Sequence, residues 1–355
     1  MSTARHRGID RIRHERMARG KVEEIGREAE RRRELLERDL AAEVDDPFDD
    51  DLLRLVFTTC HPVLSKQARV ALTLRLLGGL STAEIGRAYL ISEATVAQRI
   101  VRAKRTLSAA RVPFEVPERC QPLERVGSVL EAIYLIFNEG YSPSAGAVAV
   151  RIELIEEALR LARILAALLP DEPEVHGLAA LIELQTSRTR ARTAADGTPI
   201  LLLDQDRARW DWLLVGRGLT ALERAYKTGG SFGPYALQAA IAACHSRARR
   251  AEDTDWAQIA ALYDALAEIT PSPVVELNRA VATGMAEGPD AALAMLNDPE
   301  LGQALAGYAL LPAARADALE RLGRHAEARM AFEEAADLSE NDRQREVLLN
   351  RAARC

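Results

Sequence analysis

Two helix starts stand eleven residues apart at Ser81 and Ser92, and they leave the segment between them very few ways to fold. Ser81 and Glu84 spell a capping box: the serine hydroxyl accepts from the amide three residues on, and the glutamate reaches back to the serine amide. Ser92 is placed to cap a second helix through its own hydroxyl. Ile85, Ala88 and Tyr89 mark the inner face of the first helix, and Val96, Ile100, Ala103 and Leu107 that of the second. Two short helices with matching apolar faces and a tight turn make a helix-turn-helix. Leu90 stands in that turn, where many such motifs carry Gly. A left-handed backbone there would cost a leucine about 1 kcal/mol, so a differently shaped turn is expected.

Opposite the inner face, Thr95, Gln98, Arg99 and Arg102 fall at i, i+3, i+4 and i+7, a polar and basic stripe suited to a DNA major groove. Arg99 and Arg102 can offer bidentate donors to guanine or grip phosphate, and Gln98 can pair with adenine or make no specific contact. The sequence leaves these alternatives open. A merely solvated helix face is the competing account. Local charge weighs against it: residues 65–111 hold nine basic side chains against Glu84 and Glu93, a net of +7 in a chain whose overall charge is −6.

The rest of the chain reads as helix too. Only 5% of its 355 residues are aromatic, and Ala, Leu, Arg and Glu, which lose little rotamer freedom in a helix, dominate. An all-α fold of two or three domains is expected. Residues 1–21 carry seven basic side chains against Asp10 and Glu15, and could form one helix. Residues 37–51 are acidic, with Pro47 breaking any helix, and read as a solvated linker. Apolar stretches at 52–57 and 70–77 flank His61-Pro62 and Ser65, predicting two short helices, with His61 a capping or packing residue. Beyond Pro113, helical periodicity runs to the end, punctuated by Pro170, Asp196-Gly197, Gly229-Gly230, Pro271 and Gly288. Gly288-Pro289-Asp290-Ala291-Ala292 before Leu296, and Gly323 to Ala328 before Phe332, recur at about one tetratricopeptide period. Residues from about 120 to 355 are expected to fold independently, with a boundary near Pro113 and Pro117.

Chemistry of other kinds finds little footing. Cys60, Cys120, Cys244 and Cys355 are widely spaced, the six histidines make no ligand pattern, and HExxH, GxSxG, P-loop and GxGxxG motifs are absent. No enzyme, cofactor or metal is expected. No leader or membrane span is visible, and a reducing cytoplasm suits the cysteines. Asn138-Glu139-Gly140-Tyr141 could contact the basic module, although a left-handed glycine closing a helix is the plainer account. Trp210, Trp212 and Trp256 are expected in the core. Asp204, Asp206, Arg207 and Arg209 are expected to form a surface ion-pair cluster.

Residues 51–108 resemble region four of a bacterial RNA polymerase sigma factor of the extracytoplasmic-function class. The resemblance rests on Cys60-His61-Pro62, Ala68-Arg69-Val70-Ala71-Leu72-Thr73-Leu74-Arg75, Gly78-Gly79-Leu80 and the helix-turn-helix ending Val101-Arg102-Ala103-Lys104-Arg105. The stretches 134–141, 204–210 and 253–257 are similar to the subgroup with a tetratricopeptide-like C-terminal extension. The resemblance implies that region four reads the −35 element and contacts polymerase, while the extension tunes activity. It implies a DNA role for Glu93, Thr95, Gln98, Arg99, Arg102, Lys104 and Arg105. By the same resemblance, residues 1–39 are a remnant of region two, its last helix, and the start of a linker. Residues 40–51 are the acidic linker, 52–112 region four, and 118–355 the extension. Binding to core polymerase is then expected to be weakened by the missing part of region two. The alternative is a helical-repeat scaffold or ligand-binding protein whose DNA module is vestigial.

Overall fold

The computed structural model describes residues 48–89, 91–114, 122–143, 149–229 and 232–355, and its residues from 53 onward form one compact unit. Residues 1–47, Leu90, Pro117 and Cys120 lie outside the described residues, and with them the basic head, most of the acidic stretch and the reading of the turn at Leu90. The described residues are helical and hold no strand; one isolated antiparallel bridge joins Thr193 to Pro199.

The N-terminal module has four helices: α1 (Phe48–Thr59), α2 (Lys66–Leu76), α3 (Thr82–Ala88) and α4 (Glu93–Ala109). The break between α1 and α2 falls at His61-Pro62 as its sequence requires. His61 Nδ1 accepts from the Val63 amide at 3.1 Å, and Ser65 caps α2 by accepting from the Ala68 amide at 3.3 Å. Residues 48–51, read from sequence as linker, are instead the first turn of α1.

The extension continues with α5 (Pro122–Tyr141), α6 (Ile152–Leu168), α7 (Pro173–Thr186), α8 (Trp212–Gly229) and α9 (Pro234–Arg247). Helical hairpins follow in α10 (Trp256–Ile269), α11 (Pro273–Ala286), α12 (Pro289–Leu296), α13 (Pro299–Ala304), α14 (Leu310–Arg321), α15 (His325–Leu338) and α16 (Asp342–Ala352). Helices α7 and α9 bury residues around their whole circumference, Val175 to Leu184 in one and Ala236 to Ser246 in the other, with exposure only at scattered points, so they are the central rods of the extension. Ala292, Leu296, Ala328 and Phe332, the small and large members of the two weak repeats, are all buried between the C-terminal hairpins.

Helices on the two sides of Pro113 belong to one compact unit. One continuous core runs from Phe57, Leu72, Leu74, Ile85 and Val96 through Leu130, Ile133, Ile136 and Phe137 of α5 to Leu154, Leu165 and Ile182. Polar contacts cross the same seam. Glu131 on α5 pairs with Lys66 Nζ at 2.6 Å and with Arg69 Nη2 at 2.9 Å, and Arg160 on α6 donates to the Leu77 carbonyl at 2.7 Å. A four-helix module of this size buries too little apolar surface to be robust alone, and here α5 and α6 complete it.

Three further readings are corrected. Gly140 is not a left-handed cap: it is helical and buried, and a Cβ there would meet Leu154 Cβ at 2.8 Å and the Ile155 amide at 2.9 Å. It is glycine because α5 and the start of α6 touch at that point. Arg207 does not pair with Asp204 or Asp206 at the surface; it is 6% exposed and donates to the His245 and Ala248 carbonyls, both at 2.6 Å. It thereby satisfies the carbonyls that α9 leaves open at its C-terminus. Asp206 instead caps a short 3-10 turn by accepting from the Ala208 amide at 2.9 Å. Of the tryptophans, Trp210 is buried and Trp256 half-buried against His245, but Trp212 is 47% exposed.

Candidate nucleic-acid interface

Helices α3 and α4 are held at a fixed angle by hydrogen bonds written into their first turns. Ser81 donates its amide (2.7 Å) and hydroxyl (2.6 Å) to Glu84 Oε2, and its Oγ accepts from the Glu84 amide at 3.2 Å, closing the capping box. Ser92 Oγ accepts from the Thr95 amide at 3.1 Å. A third bond joins the two starts: Thr82 Oγ1 donates to Glu93 Oε1 at 2.7 Å. The turn between them is tightest at Gly86, where the Ile91 amide donates to the Gly86 carbonyl at 3.0 Å and a Cβ would lie 2.8 Å from the Ile91 carbonyl oxygen. Any larger residue would force α4 away from α3.

Val96, Ile100 and Ala103 are buried and Leu107 packs against the same core, so the remaining surface of α4 faces outward. Gln98, Arg102, Lys104 and Arg105 are exposed and Arg99 is half-buried. Among the described residues none of these four cations forms an ion pair. Glu93 and Thr95 differ: the Glu93 carboxylate is bound to Thr82, and the Thr95 hydroxyl lies 2.8 Å from Ser92 Oγ. Both are therefore engaged within the motif. The centre of the exposed face runs through Gln98, Arg102 and Arg105, with Val101 beside them at 47% exposure. Val101 was missed in the sequence because an aliphatic residue next to Ile100 reads as core. Its signal is its register, three residues from Gln98 and four from Arg105.

The basic count of the module is thus divided. Lys66 and Arg69 belong to Glu131 and Arg75 donates to the Leu80 carbonyl at 3.0 Å, whereas Arg99, Arg102, Lys104 and Arg105 on α4 pair with no carboxylate among the described residues. The end of α4 is a Schellman motif: the Arg111 amide donates to Ser108 and the Val112 amide to Leu107, both at 3.1 Å, with Arg111 left-handed at φ 49°.

On the far side of α3, Tyr89 faces the extension. Its hydroxyl is buried without a hydrogen-bond partner among the described residues. Burial raises the phenol's pKa, the Glu139 carboxylate raises it further, and the Arg151 guanidinium opposes. Glu139 and Arg151 pair at 2.5 Å, so Tyr89 lies in the field of an ion pair that joins the end of α5 to the start of α6.

Residues 54–107 match the family model of sigma-70 region 4, and residues 125–226 match a family of unknown function, DUF6596. An uncharacterised protein of Rhizobium meliloti (strain 1021) is 48% identical over 294 residues, spanning 83% of this chain and 69% of its own. The chain belongs to the same family as that protein, and its region 4 makes it a protein of the sigma-70 type. Region 4 is a domain of transcription factors that act without catalysis, in company with DNA and RNA polymerase. Among the described residues, no helix is long and apolar enough to cross a membrane.

Proposed function

We propose that this protein directs RNA polymerase to promoters as a sigma factor of the extracytoplasmic-function class, with α4 reading the −35 element. The observation that carries this reading is the exposed face of Gln98, Arg102 and Arg105, whose arginines form no ion pair among the described residues, set on a region 4 scaffold. Arg102 and Arg105 supply guanidinium forks to base edges or phosphates, Gln98 a paired donor and acceptor, and Val101 an apolar contact for a thymine methyl. Lys104 grips phosphate. Arg99, half-buried, and Thr95 sit at one margin of this face. Glu93 acts by holding α4 to α3. The tetratricopeptide-like extension tunes the module, and the Glu139–Arg151 pair beside Tyr89 supports that role because it sits behind the turn that orients α4.

The test is fluorescence anisotropy of the full chain on duplexes selected from a random pool. Arg102→Ala with Arg105→Ala should remove specific binding, and Gln98→Ala should shift preference at one base position by about 1–3 kcal/mol. Lys104→Ala should weaken all sequences alike and flatten the salt dependence. Binding unaffected by the double replacement, or absent even at low salt, would leave a helical scaffold as the better description.

A further inference from the structure

Three guanidinium groups gather on the irregular segment between α7 and α8. Arg188 and Arg207 are each 6% exposed and Arg192 is half-buried, and among the described residues none of them forms an ion pair. Arg207 is compensated by the carbonyl end of α9. The other two are not. Arg192 stacks over the Tyr141 ring with its Cζ 3.6 Å from the centroid and donates to the Tyr141 carbonyl. Arg188 donates to the Tyr141 hydroxyl at 2.8 Å and to the Gln185 amide oxygen. Among the described residues every acceptor is neutral, and the Arg188 Nε has none. Residues 144–148, which follow Tyr141 and Pro143 in the chain, bring no charged side chain in sequence. The neighbourhood registers the field: burial, Arg188 and Arg207 together drive His245 down to about 3. A buried cation without a counter-ion is costly, and structures commonly relieve such a cost with an anion.

A groove of about 340 Å³ opens on the same piece of chain. Thr189 and Thr193, which directly follow Arg188 and Arg192, form one wall together with Arg343, and Val150 and Ile152 form the apolar side. The Thr189 hydroxyl is buried without a partner among the described residues. Arg343 is partly exposed and shares its guanidinium with Glu346 at 3.1 Å. The volume falls in the range of small-molecule sites, about 300–1,000 Å³.

We propose that this groove binds a small organic anion, carrying a carboxylate or phosphate group and an apolar edge. Arg343 and the Thr189 and Thr193 hydroxyls take the charged group, in the field of Arg188 and Arg192, while Val150 and Ile152 carry the apolar edge. The site stands apart from the DNA-reading face, so its test needs no promoter.

The full chain is titrated calorimetrically, and melted, with phenyl phosphate, benzoate and inorganic phosphate, using benzyl alcohol as the neutral control at matched ionic strength. Saturable binding of phenyl phosphate or benzoate, stronger than that of inorganic phosphate, is expected. At about 100-fold excess over the dissociation constant, the melting temperature should rise by several degrees. Preference between the first two probes separates a phosphate ligand from a carboxylate one. Arg343→Gln with Thr193→Val, both at the groove edge, should keep the ligand-free melting temperature and weaken binding at least tenfold. No saturable binding by any of the three anions, or binding undiminished in the double variant, overturns the site.

Discussion

Arginine serves opposite ends in two parts of this molecule. On α4, Arg102 and Arg105 lie exposed and, among the described residues, form no ion pair. Around Tyr141 and Trp210, Arg188 and Arg207 are enclosed, their guanidinium groups 5.8 and 5.0 Å from the Trp210 ring and their protons given to neutral oxygens. The first set keeps its hydrogen-bonding capacity for something outside the protein. The second uses it on oxygens inside the fold, Arg207 on the carbonyls at the end of α9 and Arg188 on the Tyr141 hydroxyl and the Gln185 side chain. Net charge along the sequence counts both sets alike. The difference lies in which oxygens the fold brings within reach, and stability and binding therefore respond to different arginines.

The largest effect should come from exchanging the two roles. Arg207→Ala strips the His245 and Ala248 carbonyls of their donor and opens space beside Trp210, and should cost about 3–5 kcal/mol in urea unfolding. Arg102→Ala should change stability by no more than about 0.5 kcal/mol while lowering DNA affinity. A destabilised Arg102→Ala beside a native-like Arg207→Ala would reverse the assignment.

A smaller effect probes the enclosed field. The His245 pKa falls from 6.5 to about 3 on folding, so the unfolded chain takes up the proton first. The contribution of this group is therefore full above pH 6.5 and is lost as pH falls from there toward 3. By pH 5 the loss is about 2 kcal/mol. His245→Phe should close its stability gap to the wild type by that amount between pH 7 and pH 5; an unchanged gap would mean that the imidazole is not held neutral.

The smallest concerns the exposed set. Arg111 is an arginine in a position that favours glycine, left-handed at φ 49°. Arg111→Gly should stabilise the chain by about 1 kcal/mol in thermal unfolding, and at the same time weaken DNA binding slightly and without sequence preference if this cation touches phosphate. A loss of stability would mean that the arginine side chain holds contacts that outweigh its backbone strain.

What the sequence shows of this fold is what is decided over three or four residues. The capping box at Ser81, the cap at Ser92 and the break at His61-Pro62 are all short-range hydrogen-bond problems with one good answer. The inner faces of α3 and α4 follow from periodicity, and so do the buried Ala292, Leu296, Ala328 and Phe332. Gly140 and Arg207 were misread because their partners lie elsewhere in the fold, and Trp212 because its ring stacks on Trp210 yet stays 47% exposed. Leu154 and Arg151 explain the glycine, and the end of α9 explains the arginine. Val101 and the Glu93–Thr82 bond were invisible for a similar reason: exposure and register belong to the packed pair of helices and not to either one.

The core shared by the helix-turn-helix and the extension gives the order of synthesis a consequence. Helix α4 ends at Ala109, whereas the same core closes only with Ile182. At about 5–20 residues per second, a ribosome needs roughly 4–15 s to travel from one to the other. During that interval α3 and α4 exist as nascent chain without the residues that finish their core. A message broken within the extension would therefore not release a constitutive DNA-binding fragment; it would release one that folds poorly and is open to proteolysis.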